Sequence, residues 1–325
     1  MEGQEKQLYL TTPIVRSAPM SKLTGCDVYL KLDNLQPPGS FKIRGISNTV
    51  KKAVQERKCT HIYCASGGNA GLATAYVCQQ LGVPCTIVLP ESTPSFAADK
   101  LRELGAEVEV HGKVFDFANA YALEQSKKPG CEYVSPFDHP EIWEGHESLM
   151  TESAAQLGRR PDAIVTCVGG GGLLNGVLQG MSRVGWEDIP VIGMETEGAD
   201  CLNKSIQAGK IVTLPDITSI AKSLGSLTVC KRTYELYTSG KYKLLSEVVT
   251  DRDVVNACLR FADDHRYIVE PACGATLAAI YSGTISALQA KGQLPASLSS
   301  VLVIVCGGAI VTLDMLQKWK QQFSL

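Results

Sequence analysis

The chain has 325 residues, of which 45% are hydrophobic and 20% charged, and its formal net charge is −2. This length and apolar content predict one large globular domain or two modest ones. The small, evenly spread charge excludes long-range attraction to nucleic acid or to an anionic membrane, so a small neutral or zwitterionic partner is expected. The sequence shows neither a signal-peptide pattern nor an apolar run of about 18 residues, which predicts a cytoplasmic protein.

The twelve cysteines form no C-x-x-C pair, and most of them lie in apolar runs. This pattern predicts reduced, buried thiols rather than disulfides. The five histidines form neither H-x-x-x-H nor H-E-x-x-H, so no transition-metal site is expected.

Apolar runs of strand length alternate with segments of helical periodicity along the chain. The predicted strands are residues 28–32, 61–65, 85–89, 107–111, 163–168, 191–195 and 301–305. The predicted helices include residues 69–81, 95–104, 115–126 and 173–184, several of which end before a glycine, as helices often do. Continuous apolar strands are typical of parallel sheets covered on both faces. The sequence therefore predicts an α/β fold with mainly parallel sheets and helices on both faces.

A polar and aromatic stretch at residues 135–140 separates the first strand and helix units from the rest of the chain. It predicts a small domain of residues 41–136 and a large domain of residues 1–40 and 137–325. Lys42 would then lie at the seam between the two domains, where the active site is expected.

Lys42 stands between a serine and an arginine in the segment S-F-K-I-R-G at residues 40–45. The glycine-rich segment at residues 168–176 offers a phosphate cradle but contains no lysine of its own. In a P-loop the lysine follows the glycines within a few residues, so this pattern does not suit a nucleoside triphosphate. The amine of Lys42 is therefore predicted to react covalently with a ligand.

Two glycine-rich turns each follow an apolar strand and open a helix, and backbone N–H groups at such turns bind anions. The first, S-G-G-N-A-G at residues 66–71, is either a ligand site or a tight turn capped by Asn69. The second has four consecutive glycines, whose entropy cost on folding favours phosphate binding over a purely structural turn. Gly170, Gly172 and Glu195 match the dinucleotide-binding motif only loosely. A nicotinamide cofactor would also leave Lys42 without a role.

Cys306 follows the last predicted strand and precedes two glycines. Ligands collect at the carboxyl ends of parallel strands. The strands that end at Ala65, Val168, Glu195 and Val305 all lead into small or polar residues. We expect these ends to converge on one ligand that Cys306 faces, the alternative being a buried cysteine before a glycine turn.

The ordered set S-x-K-x-R-G, S-G-G-N-A-G, G-G-G-G-L and C-G-G resembles the fold type II pyridoxal-phosphate enzymes. The likeness is closest to the L-serine dehydratase/L-threonine deaminase group, in particular its serine dehydratase-like branch. It implies two open, mainly parallel twisted sheets, as in the tryptophan synthase β chain, and pyridoxal 5'-phosphate as cofactor. It also implies a cytoplasmic homodimer that acts in amino-acid catabolism and gluconeogenesis.

The resemblance also assigns roles to single residues. Lys42 would hold the cofactor as a Schiff base, and Asn69 would bond its phenolic oxygen. Phe41 and Ser223 would lie on the two ring faces, and Cys306 would face the ring nitrogen. The phosphate would be bound by the backbone of Gly169, Gly170, Gly171, Gly172 and Leu173. The substrate carboxylate would be bound by Ser66, Gly67, Asn69 and Ala70. A monovalent cation such as K⁺ would be surrounded by Gly169, Glu195, Ala199, Leu224 and Ser226.

The amine of Lys42 would remove the Cα proton of an amino-acid substrate, and the cofactor would delocalise the resulting charge. A thiol at the ring nitrogen, in place of a carboxylate, favours a neutral ring and rapid loss of a β-leaving group. We therefore predict conversion of L-serine to pyruvate and ammonia, and of L-threonine to 2-oxobutyrate and ammonia.

Some positions depart from the commoner dehydratase pattern, which has alanine in place of Gly67 and of Ser223, and serine and asparagine in place of Ala309 and Ile310. Gly67 lacks a methyl group that would confine the substrate, so modest activity is expected, and Gly67→Ala is expected to raise it. Because glycine also lacks a hydroxyl that could protonate the opposite face of the substrate, serine racemisation by this chain is not expected.

Other reactions of the same fold, namely serine racemisation and β-replacement on serine or cysteine, are alternatives, and no local motif distinguishes a β-replacement synthase from a dehydratase. A second alternative is a cofactor-binding protein with little turnover, which steady-state pyruvate release from serine would distinguish. A nicotinamide-dependent oxidoreductase is a third, and it would lack the visible absorbance of a lysine-bound cofactor.

Overall fold

The computed structural model describes residues 7–325, so residues 1–6 of the expected large domain lie outside the described residues. The strands are β1 (Ile14–Arg16), β2 (Asp27–Leu32), β3 (His61–Ala65), β4 (Cys85–Leu89), β5 (Glu107–Val110), β6 (Cys131–Tyr133), β7 (Ala163–Cys167), β8 (Val191–Thr196), β9 (Leu244–Val249) and β10 (Ser300–Val305). The helices are α1 (Ala18–Thr24), α2 (Lys42–Gln55), α3 (Asn69–Leu81), α4 (Ser95–Glu103), α5 (Phe115–Gln125), α6 (Pro140–Leu157), α7 (Gly172–Val184), α8 (Cys201–Ala208), α9 (Lys231–Thr238), α10 (Asp251–His265), α11 (Pro271–Tyr281), α12 (Thr284–Ala290) and α13 (Leu313–Gln322).

The described chain divides into two compact units. The first unit contains residues 7–11 and Leu35–His146, and the second contains Thr12–Asn34 and Glu147–Leu325. Each unit has its own sheet. The domain boundaries expected from the sequence, near residues 40 and 136, stay a prediction.

The sheet of the first unit has four strands in the order β5-β4-β3-β6, all of them parallel. Tyr63 of β3 packs against Ala118 and Ala122 of α5. Helix α3 also contacts β3, and Cys64, the next residue of the strand, is completely buried. Because successive side chains of a strand point to opposite faces, α5 and α3 cover the two faces of this sheet.

The sheet of the second unit has six strands in the order β1-β2-β10-β7-β8-β9. Only β1 is antiparallel to its neighbour. Helix α11 contacts β7, β8 and β10 and is buried along its whole length, as expected for a helix that is apolar all round. The strand order places the carboxyl ends of β10, β7 and β8 side by side.

The α/β fold with two mainly parallel sheets is confirmed, and all seven predicted strands are present with ends within one residue of the prediction. Strands β1, β6 and β9 were not predicted. No helix within residues 7–325 is long and apolar enough to cross a membrane.

Candidate active site

The predicted lysine is the first residue of α2, in the first unit. Its Nζ donates a hydrogen bond of 2.5 Å to the carbonyl oxygen of Pro136. The same atom lies 5.3 Å from the centroid of the Phe41 ring. Phe41 occupies the N-cap position of α2 but provides no side-chain cap. The amine is thus held at the start of a helix, beside an aromatic ring.

His146 of α6 lies against this lysine segment and was not assigned a role from the sequence. The side chain is completely buried, and its ring centroid is 4.9 Å from that of Phe41. Its Nδ1 accepts a hydrogen bond of 3.2 Å from the backbone N–H of Gly45. Burial, and then the positive charges of Lys42 and Arg44, hold the pKa of His146 well below its ordinary value. The imidazole is therefore neutral.

Helices α2 and α6 approach so closely that both need glycine at the contact. A Cβ at Gly45 would lie 2.6 Å from the carbonyl oxygen of Ile142. A Cβ at Gly145 would overlap the carbonyl oxygen of Arg44. Both obstacles are backbone atoms, which cannot rotate away, so the helix that begins at Lys42 is seated firmly on α6.

The first glycine-rich turn joins β3 to α3 in the same unit. Ser66 Oγ accepts a hydrogen bond of 3.2 Å from the N–H of Gly68, and Asn69 begins α3 as a buried residue. A Cβ at Gly71 would overlap the carbonyl oxygen of Ser66, so the turn folds back tightly on the helix. The first N–H groups of a helix have no acceptor within the helix, which suits this turn to a carboxylate or another anion.

The second glycine-rich turn joins β7 to α7 in the second unit. Gly171 is the N-cap of α7 with φ of 101°, and a Cβ at this position would overlap the Thr233 hydroxyl oxygen. Only glycine combines this conformation with this closeness. The turn therefore presents backbone N–H groups at the start of a 13-residue helix, as a phosphate cradle requires.

A buried polar network holds the cradle in place, and sequence reasoning missed it. The backbone N–H of Cys230 donates to the carbonyl oxygen of Gly170 at 2.9 Å. Asn175 Nδ2 lies 3.2 Å from Cys230 Sγ, and the Thr233 hydroxyl donates to Asn175 Oδ1 at 2.9 Å. Asn175 belongs to the glycine-rich segment itself, but Cys230 and Thr233 carry no local signal in the sequence.

Cys306 lies at the carboxyl end of β10, between β2 and β7. Its Sγ is 3.6 Å from that of Cys167. Hydrogen bonding with Cys167 and Cys273, together with burial, raises the pKa of Cys306 well above its ordinary value, so the thiol keeps its proton. A Cβ at Gly308 would overlap the side chain of Glu270, which fixes the turn that follows the thiol.

Glu195, expected beside a cation, is buried at the end of β8. Its two carboxylate oxygens accept hydrogen bonds of 2.9 and 2.8 Å from the N–H groups of Leu202 and Asn203. Burial raises the pKa of Glu195 to about 8. Asp200, the N-cap of α8, makes no side-chain cap, so Glu195 caps this helix in its place.

The other residues expected around the cation lie in turns of the second unit. The N–H of Ser226 donates to the carbonyl oxygen of Leu224 at 2.7 Å. A Cβ at Gly169 would lie 3.0 Å from the Cα of Leu224, so these two segments touch through their backbones. The N–H of Ala199 donates to the carbonyl oxygen of Thr196 at 2.8 Å. Within residues 7–325, no three His, Cys, Asp or Glu side chains group where they could hold a metal ion.

The predicted site residues fall into two sets, one in each unit. The first unit carries Phe41, Lys42, Ser66, Gly67, Asn69 and Ala70. The second unit carries Gly169, Gly170, Gly171, Gly172, Leu173, Glu195, Ala199, Ser223, Leu224, Ser226 and Cys306. Of the four strand ends expected to converge, Val168, Glu195 and Val305 follow or end neighbouring strands of one sheet, and Ala65 ends a strand of the other sheet. Ser223 is exposed, whereas Ala309 and Ile310 are half-buried.

Known proteins resemble this chain along nearly its whole length. A family model described as pyridoxal-phosphate dependent enzyme matches residues 6–307. "Serine dehydratase-like" of Homo sapiens is 51% identical over 98% of this chain and 96% of its own length. "L-serine dehydratase/L-threonine deaminase" of Mus musculus is 49% identical over 100% of this chain and 98% of its own length. The structure of a fungal L-serine ammonia-lyase from Rhizomucor miehei is 33% identical, with a TM-score of 0.90 over 98% of this chain and 100% of that chain.

Proposed function

Because the chain belongs to the family of pyridoxal-phosphate dependent enzymes, we propose that it converts L-serine to pyruvate and ammonia, and L-threonine to 2-oxobutyrate and ammonia. Relatives about as long as this chain are named L-serine dehydratase/L-threonine deaminase. The observation that carries the proposal is the buried thiol of Cys306 directly after β10, a position where it offers a neutral partner and no carboxylate. A neutral partner leaves a pyridine nitrogen unprotonated, which favours β-elimination over reactions that need a long-lived carbanion.

The residues of both units fit pyridoxal 5'-phosphate. The turn before α7 requires glycine at position 171, where a Cβ would overlap the Thr233 hydroxyl, and its backbone N–H groups suit a phosphate. Lys42 supplies a primary amine beside the flat ring of Phe41. Cys306 supplies a neutral thiol. Together these groups match the phosphate, the aldehyde and the pyridine nitrogen of the cofactor.

When bound, the cofactor supplies a covalent link to an amine and an electron sink for charge at Cα. The amine of Lys42 would hold the cofactor and would serve as the base for the Cα proton of the substrate. Phe41 and Ser223 would orient the cofactor ring. Cys306 keeps its proton on Sγ. Asn69 bonds the phenolic oxygen.

The turn after β3 binds the substrate carboxylate through Ser66, Gly67, Asn69 and Ala70. The turn before α7 binds the phosphate through Gly169, Gly170, Gly171, Gly172 and Leu173. A monovalent cation such as K⁺ binds among Gly169, Glu195, Ala199, Leu224 and Ser226. These roles are supported by the matching positions of the family's motifs and by the helix N-termini at both turns.

Four further proposals are supported by the sequence alone, through its patterns and its resemblance to the family. The chain acts as a homodimer. It works in the cytoplasm, on a small amino-acid substrate. Its reactions serve amino-acid catabolism and gluconeogenesis. Its domains are residues 41–136 and residues 1–40 with 137–325.

Lys42→Ala tests the central assignment. The purified variant should lose the visible absorbance band and the lysine adduct that borohydride traps, and pyruvate release from serine should stop. Lys52→Ala is the matched control, because Lys52 lies in the same helix and pairs with Glu144 at the protein surface. It should keep all three properties. A reducible lysine adduct in Lys42→Ala would assign the cofactor to another lysine, and D-serine as the main product of the unmodified chain would assign it to racemisation.

A further inference from the structure

Helix α2 carries the cofactor lysine but lacks a cap of its own. Ser, Thr, Asp and Asn are the usual N-cap residues, because their side chains accept a hydrogen bond from the first turn. The N-cap here is Phe41, which makes no such bond. The first turn of α2 is therefore held by the Phe41 carbonyl oxygen, which accepts the Arg44 N–H at 3.0 Å, and not by a side-chain cap.

His146 of α6 ties the start of α2 from outside the helix. Its Nδ1 accepts a hydrogen bond of 3.2 Å from the backbone N–H of Gly45, the fourth residue of α2. Because an imidazole nitrogen that accepts a hydrogen bond carries no proton, the ring proton is assigned to Nε2. The same ring packs against Phe41 at a centroid distance of 4.9 Å and an interplanar angle of 56°. One side chain thus contacts both the N-cap residue and the first turn of the helix.

The imidazole packs closely against the start of α2. A Cβ at Gly45 would lie 2.7 Å from Cε1 of His146, so the absence of a side chain at position 45 makes the room that the ring fills. Complete burial excludes solvent as a competing donor to Nδ1. The ring therefore fills the space between α6 and the segment that contains Lys42.

We propose that His146 is a positioning residue for the reaction, and that its neutral Nδ1 and its ring hold Phe41 and Lys42 in the geometry that the cofactor needs. This inference rests on the proposed function only for its kinetic part. Its structural part concerns how Lys42 reacts with pyridoxal phosphate, which is measurable without substrate.

Three variants separate the acceptor from the bulk of the ring. His146→Ala removes both. His146→Asn keeps an acceptor oxygen near the place of Nδ1, and His146→Gln moves the amide towards the place of Nε2. Each apo protein is first titrated with pyridoxal phosphate. The rate of adduct formation at Lys42 is followed by borohydride trapping. The values of kcat and KM for serine are then measured separately.

We expect His146→Ala to slow adduct formation and to lower kcat by about 10-fold to 100-fold, since a misplacement of about 1 Å can cost about 100-fold in rate. KM for serine should change less, because none of the hydrogen bonds given above joins His146 to the turn that contains Ser66. His146→Asn should recover most of both rates, and His146→Gln should recover little.

His61→Ala is the matched control. His61 lies in the same unit, and its Nε2 forms a hydrogen bond of 2.8 Å with Thr86 Oγ1, away from α2. This variant should lose stability without any change in the adduct rate, the absorbance maximum or kcat.

Two results would overturn the inference. The first is an adduct rate in His146→Ala equal to that of the unmodified protein. The second is a His146→Asn variant that has the melting temperature of the unmodified protein but forms the adduct as slowly as His146→Ala. If the unmodified protein forms the Lys42 adduct but releases neither pyruvate nor 2-oxobutyrate, the proposed function fails. The adduct rates of the variants would still decide the role of His146.

Discussion

At position 67, a side chain larger than that of glycine would point into space that other residues already fill. A Cβ at Gly67 would lie 2.6 Å from Cγ2 of Thr93 and 3.2 Å from its Oγ1. The next atom that it would meet is Cδ2 of Leu89, at 3.4 Å. The space that a methyl group would take is therefore already filled by the loop after β4. This geometry removes the reason for expecting a faster enzyme from Gly67→Ala.

We predict that Gly67→Ala lowers the free energy of unfolding by about 1 kcal/mol through overpacking and does not raise kcat/KM for serine. Thr93→Ser removes the methyl group that would collide, so the double variant should regain the lost stability. Urea unfolding and pyruvate release measure the two effects. Gly71→Ala is the control, because its Cβ would overlap a backbone oxygen of Ser66 that Thr93→Ser cannot move. A faster and equally stable Gly67→Ala protein would contradict this prediction.

Some residues of the candidate site could be identified from the sequence and others could not. Lys42 and the two glycine turns could be singled out because the residues of each motif are neighbours in the chain, and their roles in binding stay predictions. His146 could not, since its partner Gly45 is 101 residues away in sequence. Thr233 could not either, since its hydrogen bond reaches back 58 residues to Asn175.

At the scale of elements, the two ends of α7 show the same backbone conformation in different surroundings. Gly171, the N-cap, has φ of 101°, and Gly185, the C-cap, has φ of 69°. A Cβ at Gly171 would overlap Thr233, whereas a Cβ at Gly185 would meet nothing within 4 Å. The two positions therefore separate backbone strain from loss of the cradle.

We predict that Gly171→Ala destabilises the apo protein and lowers the affinity for pyridoxal phosphate at least about 10-fold, because the methyl group would collide with Thr233 and displace the turn that presents the backbone N–H groups. Gly185→Ala should cost only the left-handed strain, about 1 kcal/mol, and leave cofactor affinity unchanged. Titration of the apo proteins and their urea unfolding test both statements. Equal cofactor affinities in the two variants would place the phosphate elsewhere.

The strands that the sequence did not reveal have one property in common. Strands β1 and β9 are the edges of the six-stranded sheet, and β6 is an edge of the four-stranded sheet. An edge strand has a neighbour on one side only, so it does not need the continuous apolar run that identifies a central parallel strand. Strand β9 contains Ser246 and Glu247, and its inner positions are only half-buried. Its pairing with β8, rather than its own pattern, makes it a strand.

At the scale of the whole molecule, each unit contains its own mainly parallel sheet and its own set of predicted site residues. Lys42 and the turn after β3 belong to the first unit, and the turn before α7 and Cys306 belong to the second. The class of fold followed from the alternation of strands and helices. The strand order did not, because β10 inserts between β2 and β7 through contacts that no local pattern encodes.

Because the thiols are buried, the rates at which a reagent modifies them measure how often the protein opens. All twelve cysteines are free, and only Cys131 is not fully buried. The first unit holds Cys64, Cys78 and Cys85, and the second holds Cys167, Cys258 and Cys273, among others. A thiol reagent with mass-spectrometric readout should therefore modify Cys131 first in the folded protein, and the others at rates set by local and global opening. Two separate groups of rates would show that the units open independently, one common rate would show that they open together, and rapid labelling of all twelve thiols would contradict the buried core described above.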